Sequence, residues 1–176
     1  MIGKILAATI IISAIVAGVA LYYLQVYAFY DTVTPTGTDD VQMTAQATGT
    51  PEAILYEDFR AIDSDSSPIR YRACFSTTSS LEMLSETYQP YTEGAEPLNA
   101  PGWFDCFDAD AIGAALEEGE ARAFLGERDV EYGVDRVVAV TPDGRGYVWH
   151  QLNHCGAEVF DGNPAPAGCP TPPEGY

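Results

Sequence analysis

The sequence predicts an α+β fold, in which an N-terminal transmembrane helix precedes a small exported domain with an antiparallel sheet and two or three short helices. Three observations predict it. Residues 5–30 carry no charged side chain. Two runs rich in β-branched and aromatic residues, 134–141 and 146–152, flank the sequence PDGR at 142–145, which is typical of a β-hairpin turn. Between anchor and hairpin, apolar residues recur at helical spacing, and helices inserted between antiparallel strands indicate an α+β fold.

The apolar N-terminal segment is long enough to cross a membrane. Residues 5–24 are almost entirely Ile, Leu, Val, Ala and Gly. At a rise of about 1.5 Å per residue they span about 30 Å, the thickness of the hydrocarbon core. Aromatic rings of the kind that settle at lipid headgroups mark the far end; they are Tyr22, Tyr23, Tyr27, Phe29 and Tyr30. The sequence therefore predicts one transmembrane helix over 5–30.

The charges on either side of this helix predict its orientation. Lys4 precedes the span, whereas the first charges after it are acidic: Asp31, Asp39 and Asp40. The positive-inside rule therefore places residues 1–4 in the cytoplasm and everything from 31 on outside it. We expect the membrane to be the inner membrane of a bacterium, whose outer side is the periplasm.

Small residues within the span leave two alternatives open. The sequence GVA at 18–20 has the small residues that signal peptidase accepts, but the apolar run is longer than the core of a usual signal peptide. Small residues four positions apart would let a partner helix approach closely, although membrane helices commonly contain them; they are Ser13, Ala14, Ala17 and Gly18.

Composition divides the rest of the chain into a tether and a domain. Residues 31–51 are rich in Thr, Pro and Gly and predict a tether, with a short edge strand at 41–45. Residues 52–176 are expected to form the acidic periplasmic domain and its Pro-rich C-terminal tail. Within it, period-two apolar residues predict a strand over 68–77.

Two further stretches of the domain have helical patterns. Residues 80–88 place apolar side chains on one helical face. Residues 108–125 begin with acidic residues that favour a helix N-terminus, and Gly119 is expected to break that helix.

The charge of the chain is strongly unbalanced. There are 26 acidic residues and 8 Lys and Arg, for a formal net charge of −18. All of the acidic residues lie at or after Asp31. Such a domain is repelled by nucleic acid, but it attracts a basic protein surface, a peptide or divalent cations. The alternative is an acidic surface that only keeps the domain soluble.

Four cysteines lie on the predicted periplasmic side, where thiols are oxidised; they are Cys74, Cys106, Cys155 and Cys169. Four cysteines allow three pairings. The pair closest in sequence, Cys155 with Cys169, would fasten the tail to the end of the hairpin and leave Cys74 with Cys106. Because the spacings of redox and haem motifs are absent, structural disulfides are favoured over a thiol redox or metal site.

Motifs for a cofactor or a catalytic centre are not found, and no cofactor is predicted. His150 and His154 have the spacing of a helical zinc site, but on an extended strand their Cα atoms would lie roughly 13 Å apart. Asp63-Ser64-Asp65 and 108–110 lack the rest of a calcium loop. Neither a nucleophile elbow nor a phosphate-binding loop is present.

One group of residues could line a pocket or a partner surface, although large aromatic side chains in a small domain usually form its core. The group contains Arg70, Arg72, Trp103, Trp149 and His150.

Four stretches of the sequence carry a resemblance. They are LYYLQVYAFY at 21–30, SSPIRYRACF at 66–75, PGWFDCF at 101–107 and GRGYVWHQ at 144–151. Together they resemble an uncharacterised family of small membrane-anchored proteins from alphaproteobacteria of the Rhodobacter group. The resemblance covers nearly the whole chain and implies an envelope location without any known activity.

Two classes of function remain. The first is a membrane-anchored accessory or assembly protein, which presents its acidic domain to an envelope partner with a basic surface. The second is a small envelope enzyme or ligand-binding domain. The first class is favoured, because the sequence predicts an anchor, a tether and a disulfide-bonded domain but contains no recognisable catalytic or cofactor motif.

Overall fold

A computed structural model describes residues 2–37 and 39–174, so that Met1, Thr38, Gly175 and Tyr176 lie outside the described residues. The helices are α1 (Ile2–Tyr23), which a π-helical turn at Leu24–Ala28 extends, α2 (Leu81–Thr87), α3 (Ala109–Glu117) and α4 (His154–Phe160). The strands are β1 (Asp31–Val33), β2 (Gln42–Thr44), β3 (Pro51–Ala53), β4 (Glu57–Asp63), β5 (Arg72–Ser76), β6 (Arg122–Glu131), β7 (Val134–Val140) and β8 (Arg145–Leu152). The predicted α+β fold is confirmed.

Six strands form one antiparallel sheet in the order β1-β4-β5-β8-β7-β6, and β2 and β3 form a separate hairpin. The predicted hairpin is β7 and β8, which pair in register from Val134 opposite Leu152 to Val140 opposite Gly146. Its turn needs glycine at Gly144, which has a φ of +84° and whose added Cβ would lie 2.3 Å from the carbonyl oxygen of Thr77.

Both faces of the sheet are buried, because successive side chains of a strand point to opposite sides. On β7, Val138 and Val140 belong to one hydrophobic cluster, which the β2–β3 hairpin and α2 cover. Val137 and Ala139 belong to a second cluster, which α3 and the aromatic segment 103–107 cover. The domain therefore has three layers, with the sheet in the middle.

The first of these clusters corrects the predicted tether. Val41, Met43 and Ala45 are 1%, 0% and 3% exposed and cover one face of the sheet. Thr44 adds a hydrogen bond from its Oγ1 to the carbonyl oxygen of Gly126, 2.9 Å away. Residues 31–51 thus contain β1, β2 and the first residue of β3. They belong to the fold because their few apolar side chains pack against residues that are distant in sequence.

Two element boundaries also differ from the prediction. Helix α3 ends near Gly119, as expected, but 122–125 belong to strand β6 rather than to a second part of that helix. The reason is that Phe124 and Leu125 are buried on opposite faces of the sheet, which a strand allows and a helix does not. The strand expected over 68–77 is confined to β5.

Helix α4 was not predicted, and it determines where the C-terminal tail lies. Asn153 caps the helix, because its side-chain oxygen accepts hydrogen bonds from the backbone nitrogens of Cys155 and Gly156. Cys155, in the first turn, is bonded to Cys169, with 5.7 Å between their Cα atoms. The other bridge joins Cys74 of β5 to Cys106, which precedes α3. This is the pairing that proximity in sequence favours.

The N-terminal helix is joined to the sheet by a short connection. Among the described residues, Ile2–Ala28 form one helix long and apolar enough to cross a membrane. Only Phe29 and Tyr30 separate it from β1, which pairs with β4 at the edge of the sheet. The small residues predicted to contact a partner helix lie exposed along α1: Ser13, Ala14, Ala17 and Gly18.

Candidate docking groove

The residues predicted to line one pocket lie in three different places. Arg70 and Trp103 lie where the domain meets the N-terminal helix. The guanidinium of Arg70 is 5.5 Å from the ring centre of Tyr30. The indole nitrogen of Trp103 donates a hydrogen bond to the carbonyl oxygen of Val26, 2.7 Å away, and its ring stacks on Tyr27. This pair therefore fixes the junction between the N-terminal helix and the domain.

Arg72 and Trp149 lie inside the domain. Arg72 is 3% exposed, and its guanidinium donates to the carbonyl oxygens of Leu98 and Ile69, at 2.7 and 2.8 Å. Burial lowers the pKa of Arg72 to about 10, so that the side chain remains charged at neutral pH. Trp149 is fully buried, and its indole nitrogen donates to the side-chain oxygen of Gln151, 2.9 Å away. Both residues therefore hold the second cluster together.

His150 occupies the third place, beside β7. Its Nε2 accepts a hydrogen bond from Nε of Arg136 at 3.0 Å, so its Nδ1 carries the proton and donates to the carbonyl oxygen of Pro68 at 2.8 Å. Burial, followed by the positive charge of Arg136, lowers the pKa of His150 to about 4. A neutral imidazole with both nitrogens engaged offers neither a ligand atom nor a free base.

A groove of about 650 Å³ lies between α3, the segment 91–97 and the start of β6. Its lining combines small or apolar side chains with acidic ones at the rim. The small or apolar residues are Tyr91, Ala95, Pro97, Ala109, Gly113, Ala114, Leu116, Ala121 and Ala123. The acidic residues are Glu96, Asp110 and Glu117.

The sequence of α3 produces one wall of this groove. Asp108 caps the helix by accepting a hydrogen bond from the backbone nitrogen of Ala111 at 3.1 Å. Ile112 is buried against the sheet. The groove side consequently carries residues spaced three or four apart, which share a helix face: Asp110, Gly113, Ala114 and Glu117.

Gln151 fixes the opposite wall. Its side-chain oxygen accepts a hydrogen bond from the backbone nitrogen of Glu96 at 3.0 Å, and its amide nitrogen donates to the carbonyl oxygen of Gly94 at 2.8 Å. The floor between the walls is open at Gly113, where an added Cβ would meet only Pro97, 3.8 Å away. The groove is thus a preformed feature of the fold with room for a further chain.

The comparison with protein families identifies the domain that carries this groove. The model of a family of unknown function, DUF6446, matches residues 41–170. The chain belongs to this family. The resemblance to an uncharacterised family is thereby confirmed, whereas the source organism stays a prediction. No curated protein and no solved structure matches the chain.

The DUF6446 match covers the folded domain from β2 onwards and leaves out the edge strand β1. It begins at Val41, where the chain enters the first hydrophobic cluster, and it includes both disulfides and the whole groove. The N-terminal helix precedes the matched residues, so the match describes the domain alone.

The acidic rim gives the groove of the DUF6446 domain its electrostatic character. Among the described residues, none of the three rim carboxylates takes part in an ion pair. The groove was not predicted from the sequence. The sequence signal that could have indicated the groove lies in 109–117, where Gly113 and Ala114 stand between Asp110 and Glu117 on one helix face. A helix face packed in a core would carry larger apolar side chains there.

Proposed function

We propose that the chain is a membrane-anchored accessory or assembly protein of the bacterial periplasm, which binds a basic segment of another envelope protein in the groove beside α3. The observation that carries the proposal is the groove itself: an open channel with a floor of small apolar side chains and a rim of carboxylates that form no ion pair with the described residues. Small side chains allow the backbone of a bound segment to approach closely. The carboxylates would pair with its Lys or Arg side chains.

The charge of the chain supports a cationic partner. An acidic domain attracts basic surfaces over a distance and raises the rate of encounter, and the net charge of −18 makes this attraction large. At the groove, the long-range attraction coincides with a surface that can bury part of the partner.

Two further observations support the location. The two disulfides indicate an oxidising compartment, and the N-terminal helix is apolar and long enough to cross a membrane. The hydrogen bond between Trp103 and Val26, together with the short link through Phe29 and Tyr30, would keep the domain close to the membrane surface. The favoured partner is therefore another membrane protein or one held near the membrane, in an alphaproteobacterium of the kind that the resemblance implies.

A reporter fusion tests the orientation of the anchor. Alkaline phosphatase fused after Tyr176 is expected to be active, and a cytoplasmic fluorescent reporter at the same position inactive, because the acidic residues after the helix favour the outer side. Mass spectrometry of the purified protein should find residues 1–20 still attached. Cytoplasmic reporter activity contradicts the orientation, and a chain that starts after Ala20 contradicts the retained anchor.

Neutralising the groove is expected to weaken partner binding at least tenfold. The test variant combines Glu96→Gln, Asp110→Asn and Glu117→Gln, and a second variant, Gly113→Leu, fills the groove without changing its charge. A partner that co-purifies from native membranes at low salt is identified, purified and titrated against each variant. Raising the salt should weaken binding to the wild-type protein, because the screening length falls from about 10 Å at 0.1 M to about 3 Å at 1 M.

The matched control removes the same charge elsewhere. Glu57→Gln, Glu82→Gln and Glu86→Gln neutralise three exposed carboxylates away from the groove and should change the Kd less than twofold. Equal weakening by both triple variants would assign binding to the overall charge and remove the groove from the proposal. If no specific partner is retained at low salt, the protein is better explained as a small envelope enzyme or ligand-binding domain.

A further inference from the structure

A histidine side chain lies against one of the two disulfides. Nε2 of His154 is 3.5 Å from Sγ of Cys155 and 3.4 Å from Sγ of Cys169. His154 is the first residue of α4, and Asn153 caps that helix, so the ring is held above the bridge by a fixed backbone. An imidazole in this position can exchange a proton with a sulfur that leaves the bridge.

A carboxylate orients this imidazole. Oε2 of Glu93 lies 3.2 Å from Nδ1 of His154 and 3.3 Å from its backbone nitrogen. Arg128 holds the other oxygen, with its Nη1 2.8 Å from Oε1 of Glu93. Although partial burial acts to raise it, these hydrogen bonds lower the pKa of Glu93, which stays ionised beside the imidazole. The carboxylate of Glu93, the imidazole of His154 and the sulfurs of the bridge are thus in consecutive contact.

The bridge is accessible from one side. Cys155 is buried, whereas Cys169 is partly exposed. A groove of about 520 Å³ borders His154 and Glu93 and leaves room for a reacting group. Because Cys169 is the more exposed partner, an incoming thiol is expected to attack its Sγ, with Sγ of Cys155 as the leaving atom.

The second disulfide shares this accessibility but lacks the paired histidine and carboxylate. Cys106 is partly exposed, as Cys169 is, and borders a groove of about 420 Å³. Among the described residues, no hydrogen-bonding side chain contacts the sulfurs of Cys74 and Cys106, and the chain's other histidine, His150, is bonded to Pro68 and Arg136. Cys74 is part of the second hydrophobic cluster. The two bridges of one molecule therefore differ in their chemical surroundings, although both connect the same small domain.

We propose that Cys155–Cys169 is a thiol–disulfide exchange site, whose substrate is a dithiol such as a protein with two neighbouring cysteines. A substrate thiolate forms a bond to Sγ of Cys169. The bond between Cys155 and Cys169 breaks, its electron pair passes to Sγ of Cys155, and His154 supplies a proton from Nε2. The second substrate thiol then attacks the mixed disulfide and releases Cys169. The substrate loses two electrons and two protons, and the bridge gains them as two thiols.

The groups around His154 set the pH dependence. The charged residues that face it from the neighbouring elements are Glu93, Glu96, Arg128, Glu158 and, through Asn153, Asp129 and Asp135. Histidine side chains commonly change charge between pH 5 and 8. Below this change the imidazolium stabilises the leaving thiolate, and a leaving group of lower pKa departs faster. The rate per attacking thiolate should therefore rise as the pH falls.

Reduction of the full-length protein in detergent micelles by dithiothreitol tests this inference. Samples are alkylated at successive times, and peptide mass spectrometry follows each bridge separately. Cys155–Cys169 is expected to open first. His154→Gln should slow its reduction at pH 6 about tenfold, leave Cys74–Cys106 unchanged and abolish the rise in rate per thiolate at low pH. Glu93→Gln should also slow the reduction, because an amide orients the imidazole less firmly than the carboxylate does.

A carboxylate at the other end of the sheet provides the control. Glu57 is exposed on β4, opposite Ser76, which in turn pairs with Arg145 at the start of β8. Glu57→Gln removes a charge far from the bridge and should change the rate less than twofold, while near-UV circular dichroism confirms that all variants are folded. The inference is overturned if His154→Gln reacts like the wild-type protein at every pH, or if Cys74–Cys106 opens as fast as Cys155–Cys169. Metal binding does not explain why His154, Cys155 and Cys169 lie together in the oxidised protein. Cysteine binds metals as a thiolate, and both sulfurs are here part of the disulfide.

Discussion

Trp149→Ala is expected to lower the free energy of unfolding by about 4 kcal/mol. The side chain is fully buried in the second hydrophobic cluster, with its ring centre 6.4 Å from that of Phe107 in an edge-to-face arrangement. Truncation removes this apolar area from the core and leaves a cavity that the rigid sheet cannot fill. It also frees Gln151, which holds the groove wall at Gly94 and Glu96. Urea denaturation of the oxidised protein in nonionic detergent, followed by far-UV circular dichroism, measures the loss.

The chain's other tryptophan is the matched control. Trp103 is partly exposed and contacts Tyr27, Tyr30 and Val26 at the junction with the helix. Trp103→Ala should therefore lower the free energy of unfolding of the domain by less than about 1.5 kcal/mol. It should instead increase the motion of the domain relative to the N-terminal helix, which spin labels on the two parts can detect. Equal losses of stability at both positions would contradict the assignment of Trp149 to the core and Trp103 to the junction.

Gly156→Ala is expected to lower the free energy of unfolding by about 3 kcal/mol. The first turn of α4 rests directly on the turn between β6 and β7, so that a Cβ added to Gly156 would lie 2.1 Å from the carbonyl oxygen of Gly133. The neighbouring atoms belong to the backbone, and Gly133 itself has a φ of +73°, so neither side can move without breaking the turn. The same denaturation experiment measures the effect. Because α4 carries His154 and Cys155, the variant should also disturb the geometry of the Cys155–Cys169 bridge.

A glycine-to-alanine substitution in α3 is the control. It shows whether the loss of stability in Gly156→Ala comes from the clash with Gly133 or from replacing a helical glycine in general. Gly113→Ala meets only Pro97, at 3.8 Å, and alanine favours the helix by up to about 1 kcal/mol, so that this variant should be as stable as the wild-type protein or more stable. If Gly156→Ala is equally harmless, the close approach of α4 to the β6–β7 turn is not maintained in solution.

Elements with strong local signals could be predicted from the sequence. The N-terminal helix is defined by its uncharged apolar run, and the β7–β8 hairpin by a turn sequence between two β-rich segments. The start of α2 follows from Ser80, whose side chain accepts a hydrogen bond from the backbone nitrogen of Met83. In each case the deciding interactions lie within a few residues of one another, and local pattern is then sufficient.

Elements whose partners are far away in sequence could be predicted only in part. The short edge strand predicted at 41–45 is confirmed by β2, but its place in the core depends on a sheet surface formed by later strands. Residues 122–125 continue a helical composition, yet they form a strand because β7 offers a free edge. Helix α4 is short, and its position depends on the contact between Gly133 and Gly156, which are separated by β7 and β8.

The sequence by itself determined that the chain has one helix able to cross a membrane, a large acidic excess and four cysteines, because these properties depend on residue types and their order. Only the tertiary structure decided where the functional groups meet. It separated Arg70, Arg72, Trp103 and His150 into different surroundings, opened a groove between α3 and the segment 91–97, and brought Glu93 to His154 beside the Cys155–Cys169 bridge. Such encounters are fixed by strand order and by the packing of helices on the sheet, which no local pattern in the chain specifies.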